Sequence, residues 1–241
     1  MKSGSFKKII RIWVFLGLCF TAWLLYSMQA HGVDEDDLKS DTQVSVRDMD
    51  DFIHFSPAKN SPEVLMFYPG ALVAPEAYVP LCHKLAENGI ETYLIKMPWR
   101  QAKYGYKKIK DLGLLKDKNK KYLLAGHSQG AKMVAQFVHE NPGQIDKAIL
   151  LATTHPRDID ISNTTTKMLK IYGDRDGVAD EKDVIANKNK LPVSTHFVKI
   201  EGANHSQFGY YGFQLGDRSS GIPREQQQQI TLSTMLQFIQ K

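Results

Sequence analysis

Residues 121–140, KYLLAGHSQGAKMVAQFVHE, place a serine between two glycines where one kind of sequence pattern gives way to another. YLLA, before the first glycine, is a short apolar run typical of a strand buried on both faces. AKMVAQFV, after the second glycine, has the spacing of an amphipathic helix. A strand, a very sharp turn and an immediate helix are what a nucleophile elbow requires, with the Ser128 hydroxyl raised above a sheet. The alternative interpretation is a tight turn that needs small residues.

The rest of the chain alternates in the same way between strand-like and helix-like segments. Strands are predicted in TQVSVRD, FIHFSP, EVLMFYPG, IETYLIKMP, KYLLAG, KAILLATT, TKMLKIYG and STHFVKIEG. Helices are predicted in APEAYVPLCHKLAENG, AKMVAQFVHENPG, DEKDVIANKNKL and REQQQQITLSTMLQFIQK, with a short one in the lysine-rich stretch before Asn119. This order predicts an α/β fold, a mostly parallel twisted sheet with helices on both faces. Residues 155–165 leave no room for a large cap domain.

A serine nucleophile needs a base and an acid, and in this architecture they follow it in the order acid, then histidine. The turn YGDRDGVAD follows a late strand and contains Asp174 and Asp176. The spacing from Gly173 favours Asp176 as the acid and leaves Asp174 as the alternative. His205, in ANHSQFGYYG after the last strand, is the histidine placed to act as the base.

Other residues are expected around the same rim. The backbone N–H of Gln129 and that of Ala71 or Leu72, after the strand ending FYPG, would form the oxyanion hole. His127 should point away from the side chain at 128, which favours packing or a substrate contact.

Two further segments complete the predicted rim. His155, at the end of a strand, could line the pocket. The aromatic loop after His205, with Gln207 and Tyr210, is expected to fold back over the site, either to position His205 or to wall the pocket; ordinary surface packing is the alternative.

The first thirty residues have a basic start followed by an apolar stretch without charge from Ile12 to Tyr26. A cut after Ala30 would place Met28 where a signal peptide needs a small residue, which favours a retained membrane anchor over a cleaved signal. The basic residues Lys2, Lys7, Lys8 and Arg11 would then remain in the cytoplasm and the catalytic domain would lie outside, with secretion after cleavage as the alternative. The predicted organisation is an anchor or signal segment at 1–30, a linker at 31–43 and one domain at 44–241.

Composition excludes several classes of function. A net charge of +5 and 42% hydrophobic residues are ordinary for a globular domain. The lysine runs carry no aromatic pattern, so they predict solvated faces, with weak attraction to anionic lipid or wall polymer as the alternative, and no nucleic-acid binding. Cys19 lies in the apolar segment, so Cys82 has no partner for a disulfide within the domain. No metal-binding or nucleotide-binding motif occurs, so no metal and no cofactor are predicted. No pattern indicates an oligomeric state.

The segments FYPGALVAPEAYVPLCHKLAENG, GHSQGAKM, YGDRDGV and GANHSQFGYYGFQLGD together resemble the compact α/β-hydrolase family often labelled α/β-hydrolase fold 5, from about residue 45 to the end. The resemblance implies the α/β-hydrolase fold and Ser128, Asp176 and His205 as the triad. Gln129 is a departure, since relatives commonly carry leucine there, and it adds a polar side chain at the rim.

The expected activity is a serine hydrolase that cleaves a carboxylic ester with a small or extended acyl group. Thioester, lactone and amide substrates, acyl transfer, and a non-catalytic binding module are the alternatives.

Overall fold

A computed structural model describes residues 3–241 of the chain, and its centre is one eight-stranded sheet. The strands are β1 Val44–Asp48, β2 Phe52–Pro57, β3 Glu63–Tyr68, β4 Glu91–Ile95, β5 Lys121–His127, β6 Lys147–Leu151, β7 Lys167–Gly173 and β8 His196–Ile200. Their order is β1-β2-β4-β3-β5-β6-β7-β8. The β1–β2 and β2–β4 pairs are antiparallel, and the remaining pairs of neighbouring strands are parallel. The predicted α/β architecture is confirmed.

Helices cover both faces of this sheet. Helix α1, Ser3–Ser27, precedes the sheet, and the helices that follow it are α2 Val79–Glu87, α3 Ala102–Gly105, α4 Lys108–Asp111, α5 Gln129–Glu140, α6 Glu181–Ala186 and α7 Arg224–Ile239. One core, with Leu85 of α2 and Met235 of α7, packs α2 and α7 against one face of the sheet. A second core, with Ile109 and Phe137, packs α3, α4 and α5 against the other.

The connection between β6 and β7, residues 152–166, runs across the carboxyl ends of the strands. Within the described part of the chain it contains neither a helix nor a strand, so no large cap covers this edge of the sheet. Because parallel strands end at the same edge, the loops after β3, β5, β6, β7 and β8 meet there. This edge is called the carboxyl edge below.

Helix α1 stands apart from the two cores. Its segment Phe6–Ser27 is long and apolar enough to cross a membrane, and none of its residues before Ser27 is buried. Lys2, one of the four basic residues assigned to the cytoplasmic side, lies outside the described residues. The segment 31–43 is irregular except for a 3₁₀ turn at Glu35–Leu38. Just before it, Ala30 forms a β-bridge with Tyr211, so contacts with the domain start earlier than residue 44.

Candidate active site

The turn between β5 and α5 has the geometry of a nucleophile elbow. Ser128 has φ 54° and ψ −116°, a conformation that is rare for any residue other than glycine. A Cβ on Gly126 would lie 2.6 Å from the carbonyl carbon of Gly130. A Cβ on Gly130 would lie 2.1 Å from the carbonyl oxygen of Tyr68. Both glycines are therefore required by close backbone contacts, and the strained residue between them is the serine.

The loops after β7 and β8 bring an acid and a base together. The ring Nδ1 of His205 lies 2.8 Å from Asp176 Oδ2, and both side chains are fully buried. The other oxygen of Asp176 accepts hydrogen bonds from the N–H groups of Val178 and Ala179, at 2.8 and 2.6 Å. These bonds fix the carboxylate, which leaves Oδ2 to orient the imidazole.

Asp174, the alternative acid, has a different partner. Its Oδ1 accepts a hydrogen bond from the Gly202 N–H at 2.7 Å, which ties the β7 loop to the turn after β8. It therefore braces the loop and does not contact His205.

Ser128 and His205 line one open cavity of about 260 Å³ at the carboxyl edge. Its lining consists of Ser128, Gln129, Lys132, Ala152, Thr153, Thr154, His155, Val178, Ala179 and His205. The Nε2 of His205 is buried and makes no hydrogen bond to any residue that the structure describes. That nitrogen is therefore the unpaired atom of a side chain that lines the cavity.

The backbone N–H groups available to a developing oxyanion differ from the expectation at one position. The Leu72 N–H donates to the Arg100 carbonyl at 2.7 Å, so the prediction that it serves the oxyanion hole is wrong. The N–H of Ala71 makes no hydrogen bond to the described residues, and the Gln129 N–H begins α5, where a helix leaves its first N–H groups unpaired. Ala71 and Gln129 remain as the candidate pair.

The sequence of this chain matches that of a known protein family. Residues 64–229, more than half of the chain, match the model of the alpha/beta hydrolase family. The chain belongs to the alpha/beta hydrolase family. No curated protein sequence matches it.

Solved structures of esterases share the fold of this alpha/beta hydrolase. Est1E from Butyrivibrio proteoclasticus is 16% identical, with a TM-score of 0.57 over 83% of this chain and all of its own. Esterase 2 from Thermogutta terrifontis, phosphorylated by paraoxon, is 18% identical, with a TM-score of 0.57 over 82% of this chain and 92% of its own. Est1E with bound ferulic acid is 15% identical, with a TM-score of 0.58 over 81% of this chain and 99% of its own.

His127 supports the site of this alpha/beta hydrolase from below. It is fully buried, its ring centroid lies 4.6 Å from that of His205, and it does not line the cavity. The Tyr78 hydroxyl accepts the Gly70 N–H at 3.1 Å and lies 2.8 Å from His127 Nδ1, so it donates its own proton to that nitrogen. Burial, and then the nearby His205, lower the pKa of His127 well below its usual value. His127 is therefore a neutral, buried side chain, and the structure does not place it among the residues that line the cavity.

The aromatic loop after His205 also packs inward. Phe208 and Tyr211 are fully buried and lie against the ring of His127. Gln207 does not line the cavity, and Tyr210 lines a separate cavity of about 280 Å³ beside Leu81. The loop thus positions His205 from beneath and does not wall the cavity. Gln207 and Tyr210, which the sequence assigns to substrate binding, are therefore not brought to this cavity.

His155 lies where the sequence places it, on the cavity wall. Its pKa is lowered to about 4 by burial and then by the charges of Lys132 and Arg157. It is therefore a neutral hydrogen-bonding group at neutral pH. Behind it, the buried Lys170 donates a hydrogen bond from Nζ to the His155 carbonyl at 2.8 Å.

Sequence reasoning missed Asp217, which joins the loops after β7 and β8. Its carboxylate is buried and accepts hydrogen bonds from the N–H groups of His205 and Ser206, at 3.1 and 2.8 Å, and from that of Gly177, at 3.2 Å. The same carboxylate accepts the Ser206 hydroxyl at 2.6 Å. The one available signal was the segment GFQLGD, whose final carboxylate had no assigned role.

Proposed function

We propose that the chain is a serine hydrolase that cleaves a carboxylic ester through Ser128, His205 and Asp176. The observation that carries the proposal is the buried, hydrogen-bonded pair of His205 and Asp176, because His205 has an unpaired Nε2 and lines the same cavity as the strained Ser128. A serine hydroxyl becomes an effective nucleophile only with such a base, and the base needs an acid behind it.

The first chemical step is attack of Ser128 Oγ on the carbonyl carbon of the ester. The hydroxyl proton passes to Nε2 of His205, and Asp176 stabilises the imidazolium that forms. The N–H groups of Gln129 and Ala71 stabilise the oxyanion. Nε2 makes no hydrogen bond in the described structure, and catalytic hydrogen bonds of this kind commonly tighten only when substrate binds.

The remaining steps reverse these roles. Collapse of the tetrahedral intermediate breaks the ester bond, and the His205 proton goes to the leaving alkoxide. A water molecule then attacks the acyl-serine while His205 takes its proton, which releases the carboxylic acid and restores Ser128.

The cavity favours a small or extended ester. It is open, no cap covers it, and its wall is rich in polar groups from Lys132, Thr153, Thr154 and His155. Two structural neighbours agree with this class, since one was solved with ferulic acid and the other phosphorylated by paraoxon. Thioesters, lactones, amides and transfer to an acceptor alcohol use the same triad. A graded series of p-nitrophenyl esters, followed by product analysis with a competing alcohol, distinguishes them.

We further propose that α1 is a retained anchor. Ser27 is 4% exposed and Met28 9%, and Met28 packs into the core, so a cut after Ala30 would remove part of the fold. Lys7, Lys8 and Arg11 assign the catalytic domain to the side opposite the cytoplasm. Mass spectrometry of the mature protein tests this, and a new N-terminus near residue 31 would contradict it.

Labelling with a fluorophosphonate tests whether the chain is an enzyme. The wild-type protein and a Ser219→Ala control, which changes an exposed serine elsewhere in the sequence, should label, and Ser128→Ala should not. Labelling that persists in Ser128→Ala would overturn the proposal, and absence of labelling in all three would favour a binding module.

A second pair of variants tests the acid. Asp176→Asn should lower kcat for a p-nitrophenyl ester by about 10⁴-fold, because it no longer holds the required tautomer of His205. Asp174→Asn keeps an oxygen for the Gly202 N–H and should retain activity. The reverse result would transfer the role to Asp174.

A further inference from the structure

The end of α1 is built into the carboxyl edge of the domain. The Ser27 carbonyl accepts the Gly212 N–H at 2.7 Å, and the Ser27 hydroxyl donates to the Phe213 carbonyl at 2.5 Å. The Met28 carbonyl accepts the Ala74 N–H at 2.8 Å. The helix therefore meets the domain at two of the loops that surround the site, without a flexible tether between them.

A strained pair of turns lies at the same place. Trp99 and Arg100 have φ values of 53° and 51°, and Leu72 has 65°. The Arg100 carbonyl accepts the Leu72 N–H, and the Arg100 guanidinium donates to Gln29 Oε1 at 3.1 Å. Such backbone strain persists only where surrounding contacts hold it, and here it leaves the Trp99 side chain 85% exposed.

Large apolar side chains surround this junction without a covering partner in the described residues. The rim patch consists of Leu72, Trp99, Tyr104, Phe213 and Leu215, which are between 45% and 85% exposed. Lys103 places its ammonium 4.6 Å from the centre of the Tyr104 ring. Aromatic rings with basic neighbours are the composition of a membrane–water interface.

The position of α1 identifies what covers the patch. Trp23 and Tyr26, near the end of the apolar helix, are the residues expected at headgroup depth. The Gln29 N–H donates to the Tyr26 carbonyl at 3.0 Å in the turn that follows α1, so Gln29 lies only about one turn, roughly 5 Å, beyond Tyr26. The headgroup layer is about 6 Å thick on each side of the hydrocarbon core. The residues that are hydrogen-bonded to Ser27, Met28 and Gln29 therefore lie within the headgroup layer or at its surface. They are Gly212, Phe213, Ala74 and Arg100.

We propose that the rim patch docks on the surface of the bilayer that α1 spans, with the Trp99 side chain among the lipid headgroups. This rests on the anchoring proposed above and not on the catalytic chemistry. The carboxyl edge then faces the membrane, and the cavity opens beside the headgroup layer. A second copy of the chain or another protein would also cover apolar groups. The bilayer is favoured because α1, which is proposed to span it, ends beside the rim patch.

The test measures the fluorescence of single tryptophans in the full-length protein inserted in phosphatidylcholine vesicles, with and without brominated acyl chains. The chain has three tryptophans, Trp13, Trp23 and Trp99. One protein carries Trp13→Phe and Trp23→Phe and reports on Trp99, and another carries Trp13→Phe and Trp99→Phe and reports on Trp23. The matched control replaces all three with phenylalanine and adds Val193→Trp, an exposed apolar position before β8 at the opposite edge of the sheet.

The expected result is loss of emission in brominated vesicles, with an emission maximum at shorter wavelength, for Trp23 and Trp99 but not for the Val193→Trp protein. Phe213→Gln combined with Leu215→Gln should weaken the quenching of Trp99, whereas Val193→Gln should not. Quenching of Trp23 without quenching of Trp99 would overturn the docking while leaving the anchor. Trp99 emission at shorter wavelength without quenching would indicate that a second copy of the chain covers Trp99, and it would overturn the docking on the bilayer. No quenching of Trp23 would overturn both anchor and docking, and none of these outcomes depends on whether the protein hydrolyses esters.

Discussion

Replacing Asp217 with asparagine tests how the base and acid loops are held together. One carboxylate oxygen accepts the N–H groups of Gly177, His205 and Arg218, and the other accepts the N–H and the hydroxyl of Ser206. An asparagine side chain has one acceptor group, its carbonyl oxygen, and one donor group, its NH₂. In either orientation its NH₂ group faces N–H donors, so a buried donor loses its partner.

The cost follows from the number of bonds lost. In the better orientation the NH₂ group faces Ser206, whose hydroxyl can rotate to accept from it. The Ser206 N–H then loses its hydrogen-bond acceptor. The remaining hydrogen bonds are made to a neutral amide oxygen instead of a charged carboxylate. A hydrogen bond to a charged group contributes about 1.5–3 kcal/mol, so Asp217→Asn should lower the free energy of unfolding by about 3 kcal/mol. For a domain of this size that lowers the melting temperature by about 6–12 °C.

The activity should fall as well, because His205 is attached to this network through its own N–H. A displacement of about 1 Å at a catalytic group costs on the order of 100-fold in rate. The assay is thermal unfolding by circular dichroism in mild detergent, together with kcat/KM for a short-chain p-nitrophenyl ester. Asp174→Asn, which retains its single hydrogen bond to Gly202, is the matched control and should change the stability by about 0.5 kcal/mol or less. If Asp217→Asn melted and reacted like this control, the reasoning from the hydrogen bonds would be refuted.

Three further changes test the supports of the site. Gly130→Ala places a methyl group 2.1 Å from the Tyr68 carbonyl oxygen and should destabilise the fold by about 3 kcal/mol, measured by thermal unfolding; an unchanged melting temperature would contradict the close contact. Tyr78→Phe leaves the buried Nδ1 of His127 without its donor and should cost about 2 kcal/mol in urea unfolding, together with slower fluorophosphonate labelling. Lys170 has its pKa lowered from 10.5 to about 7 by burial, so the unfolded chain binds more protons between these values and wild-type stability should rise with pH across that window. Lys170→Met should lose that rise in unfolding experiments at a series of pH values, and an identical pH dependence would show that the lysine does not titrate as its burial requires.

Local patterns were sufficient for the sheet and for much of the candidate site. Each buried strand is a short apolar run, and the elbow, the Asp176 turn and the His205 loop each follow such a run. The rule that parallel strands end at one edge then places these loops together without knowledge of any distance. One helix starts later than its pattern suggests, at Val79, after a 3₁₀ turn at Pro75–Tyr78. A proline fits only the first turn of a helix, and Pro80 sits there.

Features that depend on long-range hydrogen bonds could not be predicted. The Leu72 N–H donates its hydrogen bond to the carbonyl of Arg100, which lies twenty-eight residues further along the chain. The network of Asp217 depends on where two other loops pass. Periodicity describes which face of an element is buried, but it carries no information about which backbone group a loop residue meets.

The interlocking of the loop that carries His205 with distant parts of the chain has a consequence for biosynthesis. Its residue Asn204 exchanges hydrogen bonds with Gln227 of the last helix, and Tyr211 pairs with Ala30 near the start of the chain. A nascent polypeptide that has not yet reached Gln227, in the first turn of α7, therefore lacks the side chain that holds the backbone of Asn204, next to His205. We therefore expect the proposed esterase activity to require α7: a deletion of residues 224–241 should abolish hydrolysis of a p-nitrophenyl ester although Ser128, Asp176 and His205 all remain.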